Sequence, residues 1–253
     1  MLEFLSITLM ILFVLTRNRI VGCTAWISFS LVWLLKAPMY YDSKDYYNLC
    51  LVLLAFLFFL FLGITIFKSK RLDTFIEVTR FSALSALFYY IFALTNLKDL
   101  LINIVTTQTI TLANMLGYPF QAINYNIIEL NGKKVEIILA CTGIESMALF
   151  AGATLGVKAE ISRKIKAFLV SVPIIYVLNL FRNVFVVSAY GYSWFGENSF
   201  YIAHHVISKV LATIALILIS LAVFRILPEL SDLINDLKDE MVEVWKNDRK
   251  VRC

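Results

Sequence analysis

Leu49-Cys50-Leu51-Val52-Leu53-Leu54-Ala55-Phe56-Leu57-Phe58-Phe59-Leu60-Phe61-Leu62-Gly63-Ile64-Thr65-Ile66-Phe67 runs for nineteen residues without a charged side chain. A hydrocarbon core about 30 Å thick takes about twenty apolar residues at helical rise, so residues 48–67 read as a membrane span. Six further apolar runs flank it, at 2–16, 20–38, 80–97, 142–158, 166–190 and 200–226. The first ends in Arg17-Asn18-Arg19 rather than a small-residue cleavage site, and is expected to stay as a helix. A chain of 253 residues that is 60% hydrophobic and only 16% charged is not composed like a soluble domain. The fold class expected is an all-α polytopic membrane protein of about seven transmembrane helices.

The net charge of +5 does not point to nucleic acid, because the bases collect in short loops between spans. The clusters are Arg17/Arg19, Lys68/Lys70/Arg71, Lys158/Arg163/Lys164/Lys166, and Arg225 with the tail. With seven spans all four fall on one side, which the bias of basic residues makes cytoplasmic. The expected orientation is therefore a multi-pass protein of the cytoplasmic membrane, amino terminus outside and carboxy terminus inside. Residues 1–227 then form a single transmembrane domain, and 228–253 a cytoplasmic amphipathic tail with Leu230, Leu233, Ile234, Leu237, Met241, Val244 and Trp245 at helical spacing.

The large outer loop, 98–140, opens with a run that suits an interfacial helix, up to Gly117-Tyr118-Pro119. Then 123–130 and 133–139 flank Asn131-Gly132, the strongest short signal for a two-residue hairpin turn. A small extracytoplasmic β-hairpin thus delivers the chain to Ala140-Cys141-Thr142-Gly143-Ile144-Glu145-Ser146.

Cys141 opens the fifth span at its outer end. Arg182 lies within the sixth, nearer the outer face, and the only two histidines, His204 and His205, lie in the first turns of the seventh. An ionisable group inside a span is a functional hypothesis by default, and Asn179 and Asn183 beside Arg182 suggest a polar groove. Cys–His pairs make thiolate nucleophiles, and a helix's first turn favours an anion. Arg182 is then suited to hold an oxyanion or a substrate carbonyl. His204 shares its face with Ser208, Leu211, Ala212 and Ala215, a stripe fit for close packing, whereas His205 shares its face with Lys209. His204 is the favoured inward ring and His205 the alternative. Glu145, one turn after Cys141, is a supporting candidate that could pair with Arg182 or orient the histidine. Snorkelling of Arg182 to the headgroups, and a buried, inert Cys141, are the plain alternatives. The four cysteines, Cys23, Cys50, Cys141 and Cys253, show no metal-binding spacing, and no zinc, phosphate-loop or serine-elbow motif is present, so neither a metal nor a cofactor is expected.

With these residues in view, the chain resembles the exosortase/archaeosortase family over roughly residues 80–226. Ala140 to Ser146 looks like that family's Ala-Cys-Ser/Thr-Gly-Ile-x-Ser motif, Asn179-Leu180-Phe181-Arg182 is similar to its Asn-x-x-Arg, and Ala203-His204-His205-Val206-Ile207-Ser208-Lys209 carries the histidine near the start of the last core helix. The threonine in the first motif and the Val-Ile-Ser-Lys run look more archaeal than bacterial. The resemblance implies a cysteine transpeptidase with Cys141, Arg182 and one of His204/His205 as catalytic residues. It implies as partners secreted precursors whose carboxy-terminal signal combines a short motif, a transmembrane helix and a basic cluster. Transfer from a Cys141 thioester to an acceptor, plausibly a membrane lipid amine, is the implied reaction. Hydrolysis by an intramembrane-type cysteine protease using the same residues is the enzymatic alternative. A transporter or a lipid- or peptide-binding membrane scaffold is the non-enzymatic one, and the chain lacks the internal repeats common in transporters.

Overall fold

In a computed structural model, residues 1–69 and 71–251 are described; Lys70 and Cys253 lie outside them. An apolar chain in hydrocarbon must satisfy its own amides, and helices do this within one segment. The helices in order are α1 (Leu2–Thr16), α2 (Arg19–Leu34), α3 (Ala37–Asp42), α4 (Tyr46–Lys68), α5 (Asp73–Ala93) and α6 (Leu97–Met115), followed beyond a small sheet by α7 (Ile144–Gly156) and α8 (Ile161–Gly191). The chain then continues through a single turn α9 (Ser199–Tyr201), a π-helical turn (Ile202–Ile207), α10 (Ser208–Ile226) and α11 (Pro228–Val251).

Five of the seven expected spans are long and apolar enough to cross a membrane: Arg19–Asp42, Tyr46–Lys68, Asp73–Ala93, Ile161–Gly191 and Gly196–Ile226. The other two, α1 and α7, are apolar but have only 15 and 13 residues. At 1.5 Å per residue they reach about 23 and 20 Å, short of a core of about 30 Å. The count of seven is thus not reached by length alone. α7 is short because Leu139–Thr142 winds as a 3-10 turn and Gly143, at φ 76°, breaks the helical path before Ile144. α8 instead runs past both expected ends, with Pro173 inside it.

The chain packs as two compact units, one of residues 1–84, 156–158 and 228–253, the other of 85–155 and 159–227. In the first, α2 packs on α1 and α4 around Phe13, Trp26, Leu62, Ile66 and Phe75. The Trp26 indole donates to Thr79 Oγ1 at 2.8 Å, which satisfies its one polar atom. α11 lays Leu233 and Leu237 into this core as the tail pattern predicts, while Ile234 is exposed. Trp245 stacks on Phe61, donates to Thr65 Oγ1 at 3.0 Å, and lies under the Lys68 ammonium.

In the second unit, α8 meets α6, α10 and the sheet. The expected hairpin is a three-stranded antiparallel sheet, with β1 (Gln121–Asn124), β2 (Ile127–Leu130) and β3 (Lys133–Glu136) in sequence order. The predicted first arm is split by a turn at Tyr125-Asn126. Asn126 holds that turn to the third strand, its side chain donating to Glu136 Oε1 at 3.0 Å and its carbonyl accepting from the Ile137 amide at 2.7 Å. Asn131 and Gly132, at φ 52° and 75°, make the tight turn their sequence calls for, with Leu130 opposite Lys133.

This sheet is clamped to the carboxy-terminal end of α8. Lys133 donates its ammonium to the Tyr190 carbonyl at 2.8 Å, where free carbonyls and the helix dipole favour a cation. Leu130 packs so closely on Gly191 that a Cβ there would lie 2.4 Å from Leu130 Cδ2. Gly191→Val is therefore expected to lift the sheet off α8 at an overpacking cost of about 1–3 kcal/mol. Hydrogen exchange of the β2–β3 amides should quicken about tenfold or more, whereas amides of α2 and α4 should keep their rates.

Candidate active site

Once β3 ends, the chain has four residues in which to turn. The Cys141 amide donates to the Ile138 carbonyl at 2.8 Å, and Thr142 Oγ1 donates to the Leu139 carbonyl at 2.7 Å. The same hydroxyl accepts the Ile144 amide at 3.3 Å, so the fully buried Thr142 both closes the 3-10 turn and caps α7. Cys141 thus stands in this turn, three residues ahead of Ile144, and not in the first turn of the following helix as its sequence suggests. The dipole of α7 is correspondingly a weaker part of its surroundings, because that effect falls off within a turn.

What holds Cys141 is α8. Asn179 and Asn183, one helical turn apart and both buried, donate their side-chain amides to the Cys141 carbonyl at 2.7 and 3.0 Å. Gly143 presses against the first of them, since a Cβ at 143 would lie 3.1 Å from Asn179 Cγ. Its left-handed φ and this close approach both call for glycine. Both asparagines thus spend their amides on the cysteine turn, and of the two only Asn179 lines the mostly apolar cavity described below.

Arg182, between them in sequence and half-buried, stands within hydrogen-bonding and electrostatic reach of the Cys141 side chain. Among the described residues, Arg182 forms no ion pair. Glu145 is exposed and does not line the cavity, so the suggested pairing with Arg182 is not formed. Arg182 is thus left facing the Cys141 side chain and the cavity that both it and Asn179 line.

The histidines occupy the π-helical turn, which packs on α8 and leads into α10. His204 stacks on Phe200 with ring centroids 5.2 Å apart, His205 on Tyr201 at 5.3 Å, and the two imidazoles meet edge to face at 4.6 Å. Each ring is thus matched to an aromatic four residues before it, a spacing legible in the sequence itself. The π geometry itself left no such signal. Turns of this kind concentrate at functional sites because they re-aim side chains. Helix α8 therefore bears on both the turn with Cys141 and the turn with the imidazoles.

Between α8 and α10 lies a cavity of about 500 Å³. Ser208, Leu211, Ala212 and Ala215, the stripe read below His204, all line it, facing Asn179 and Arg182. Ser146, the last residue of the cysteine motif, lines it as well and was not singled out by sequence. The arrangement offers a thiol on a braced turn, a cation beside it, and a mostly apolar recess. Asn183→Leu, which leaves the Cys141 carbonyl one donor short, is expected to slow alkylation of Cys141 by iodoacetamide about tenfold or more, read by mass on the peptide that carries it. Asn183→Gln should recover part of that rate.

The family model described as Transmembrane exosortase matches residues 6–221. Archaeosortase A of Haloferax volcanii is 30% identical over 87% of this chain and 84% of its own length. Archaeosortase A of Natronomonas pharaonis is 27% identical over 84% of this chain and 77% of its own. No solved structure matches.

Proposed function

The chain belongs to the transmembrane exosortase family, and from that premise we propose that it is a membrane cysteine transpeptidase acting on carboxy-terminal sorting signals of secreted precursors. The observation that carries this reading is the pairing of Cys141 with Arg182 on a turn that two asparagines hold in place. Cys141 Sγ attacks the scissile carbonyl carbon. The carbonyl electrons move onto oxygen beside Arg182, and as they return the C–N bond breaks, leaving a thioester. His204 takes the thiol proton and passes it to the departing amine, which leaves with the transmembrane part of the signal. An acceptor amine, on a membrane lipid in this proposal, then attacks the thioester and gives up one proton to His204, which passes it to Cys141 as the thiolate leaves. Water in the acceptor's place would give hydrolysis. The apolar walls around Arg182 favour transfer by limiting its entry.

Seven crossings, with α1 and α7 as short spans, are part of the proposal. If only the five long helices crossed, Arg17/Arg19 and Lys68/Arg71 would face one side, and Lys158/Lys164/Lys166 and the tail the other. With all seven, every basic cluster shares the cytoplasmic side. Short spans are accommodated by local thinning of the bilayer. Cys141 then lies near the extracytoplasmic face, the amino terminus outside and the tail inside.

Co-expression with a precursor bearing such a signal, followed by the mass of its carboxy terminus, tests the reading. Cys141→Ala is expected to abolish processing, and Arg182→Ala to lower it about 10²–10³-fold, the range for loss of one oxyanion donor. His204→Ala should reduce it more than His205→Ala. A carboxy terminus heavier than the free acid marks transfer, and a free acid marks hydrolysis. Processing retained by Cys141→Ala would refute the covalent mechanism.

A further inference from the structure

The recess between α8 and α10 is long and thin. Along α10 its lining runs from Ser208 to Ile219, about 16 Å at helical rise, between two helices that pack directly on each other. An α-helix with its side chains is about 10–12 Å across and does not fit between them. An extended peptide fits by width but presents an amide or carbonyl every few ångströms. Past Arg182 the walls are Ile175, Leu178, Ala212, Ala215, Leu216 and Ile219, which pair with none of them. A hydrocarbon chain needs no such partners.

The polar groups are all at one end. Arg182, Asn179 and Ser146 stand there with Ser208, which is 2% exposed and whose hydroxyl has no hydrogen-bond partner. Ser188 on α8, buried outside the recess, is likewise without a partner, but Ser171 and Ser220 return their hydroxyls to the Ala167 and Leu216 carbonyls four residues back, both at 2.8 Å. Ser208 follows the π turn and does not. A hydroxyl buried without a partner is unfavourable, and a ligand's polar group would restore the missing hydrogen bond. The rim, formed by Leu178, Phe181 and Leu211, is exposed, so the recess opens sideways.

We propose that this recess is a slot for one hydrocarbon chain of a membrane phospholipid, with the lipid's polar end held at Arg182 and Ser208. The consequence, that a lipid so held is placed to accept the acyl group from Cys141, rests on the function proposed above. The binding does not.

The full chain in nanodiscs of phosphatidylglycerol, doped with a phospholipid carrying a diazirine on one acyl chain, tests it by irradiation and peptide mass mapping. Leu178 and Leu216 should be labelled. Ala212→Phe and Ala215→Phe, which narrow the slot, should each cut that labelling about tenfold while the exposed Ile217 and Leu221 keep theirs. Ser208→Ala, which removes a hydroxyl and adds no bulk, should cut it several-fold and covers the case that the phenylalanines prevent folding. Labelling of Leu178 and Leu216 that ignores all three variants overturns the proposal. So does labelling of these residues by a diazirine-bearing sorting-signal peptide, or by a second copy of the chain, in place of the lipid. If the slot stays unlabelled while Cys141→Ala abolishes processing, the slot fails and the transpeptidase stands. A labelled slot with processing retained in Cys141→Ala gives the reverse.

Discussion

One carbonyl oxygen, that of Cys141, accepts two side-chain amides from one face of α8, and much of the second unit follows from it. The pair fixes the height and rotation of the cysteine turn against the helix. For the asparagines to reach, the next residue must approach Asn179 without a Cβ and turn left-handed, which only Gly143 does without strain. The left-handed step ends the 3-10 turn, obliges Thr142 to cap a new helix, and sets where α7 begins. Arg182, one residue from Asn183, is placed beside the sulfur by the same helix that holds the backbone.

Helix α8 is the common support. At 31 residues, about 46 Å by rise, it is longer than a bilayer core and has surface for several partners. Tyr176 donates to Gln108 on α6 at 2.8 Å, the asparagines take the cysteine turn, the π turn and α10 pack alongside, and Lys133 ties the sheet to its last carbonyls. Residues far apart in the chain thereby answer to one rigid element.

Much of this was legible in the chain itself. Period and apolar length gave the helices, Asn131-Gly132 gave the turn, and the small stripe after His204 gave the wall of the cavity. What was not legible depended on pairing at a distance. Nothing near Asn126 announces that its side chain binds Glu136 and splits a strand in two. The amides of Asn179 and Asn183 read as groove polarity because side-chain type does not reveal which carbonyl it will meet. Glu145 looked like a partner for Arg182 by helical spacing, but the spacing was counted from Cys141 as if the helix began there; the break at Gly143 voids that count.

The doubled histidine takes on a different sense beside the π turn that carries it. Ile202–Ile207 winds as a single π turn with His204 and His205 at its middle, a wider loop than the helices on either side of it. Each ring rests on an aromatic of the preceding turn, His204 on Phe200 and His205 on Tyr201, and the two imidazoles touch edge to face. The doubled histidine is thus one aromatic stack four rings deep, so that replacing either imidazole also disturbs the seat of the other.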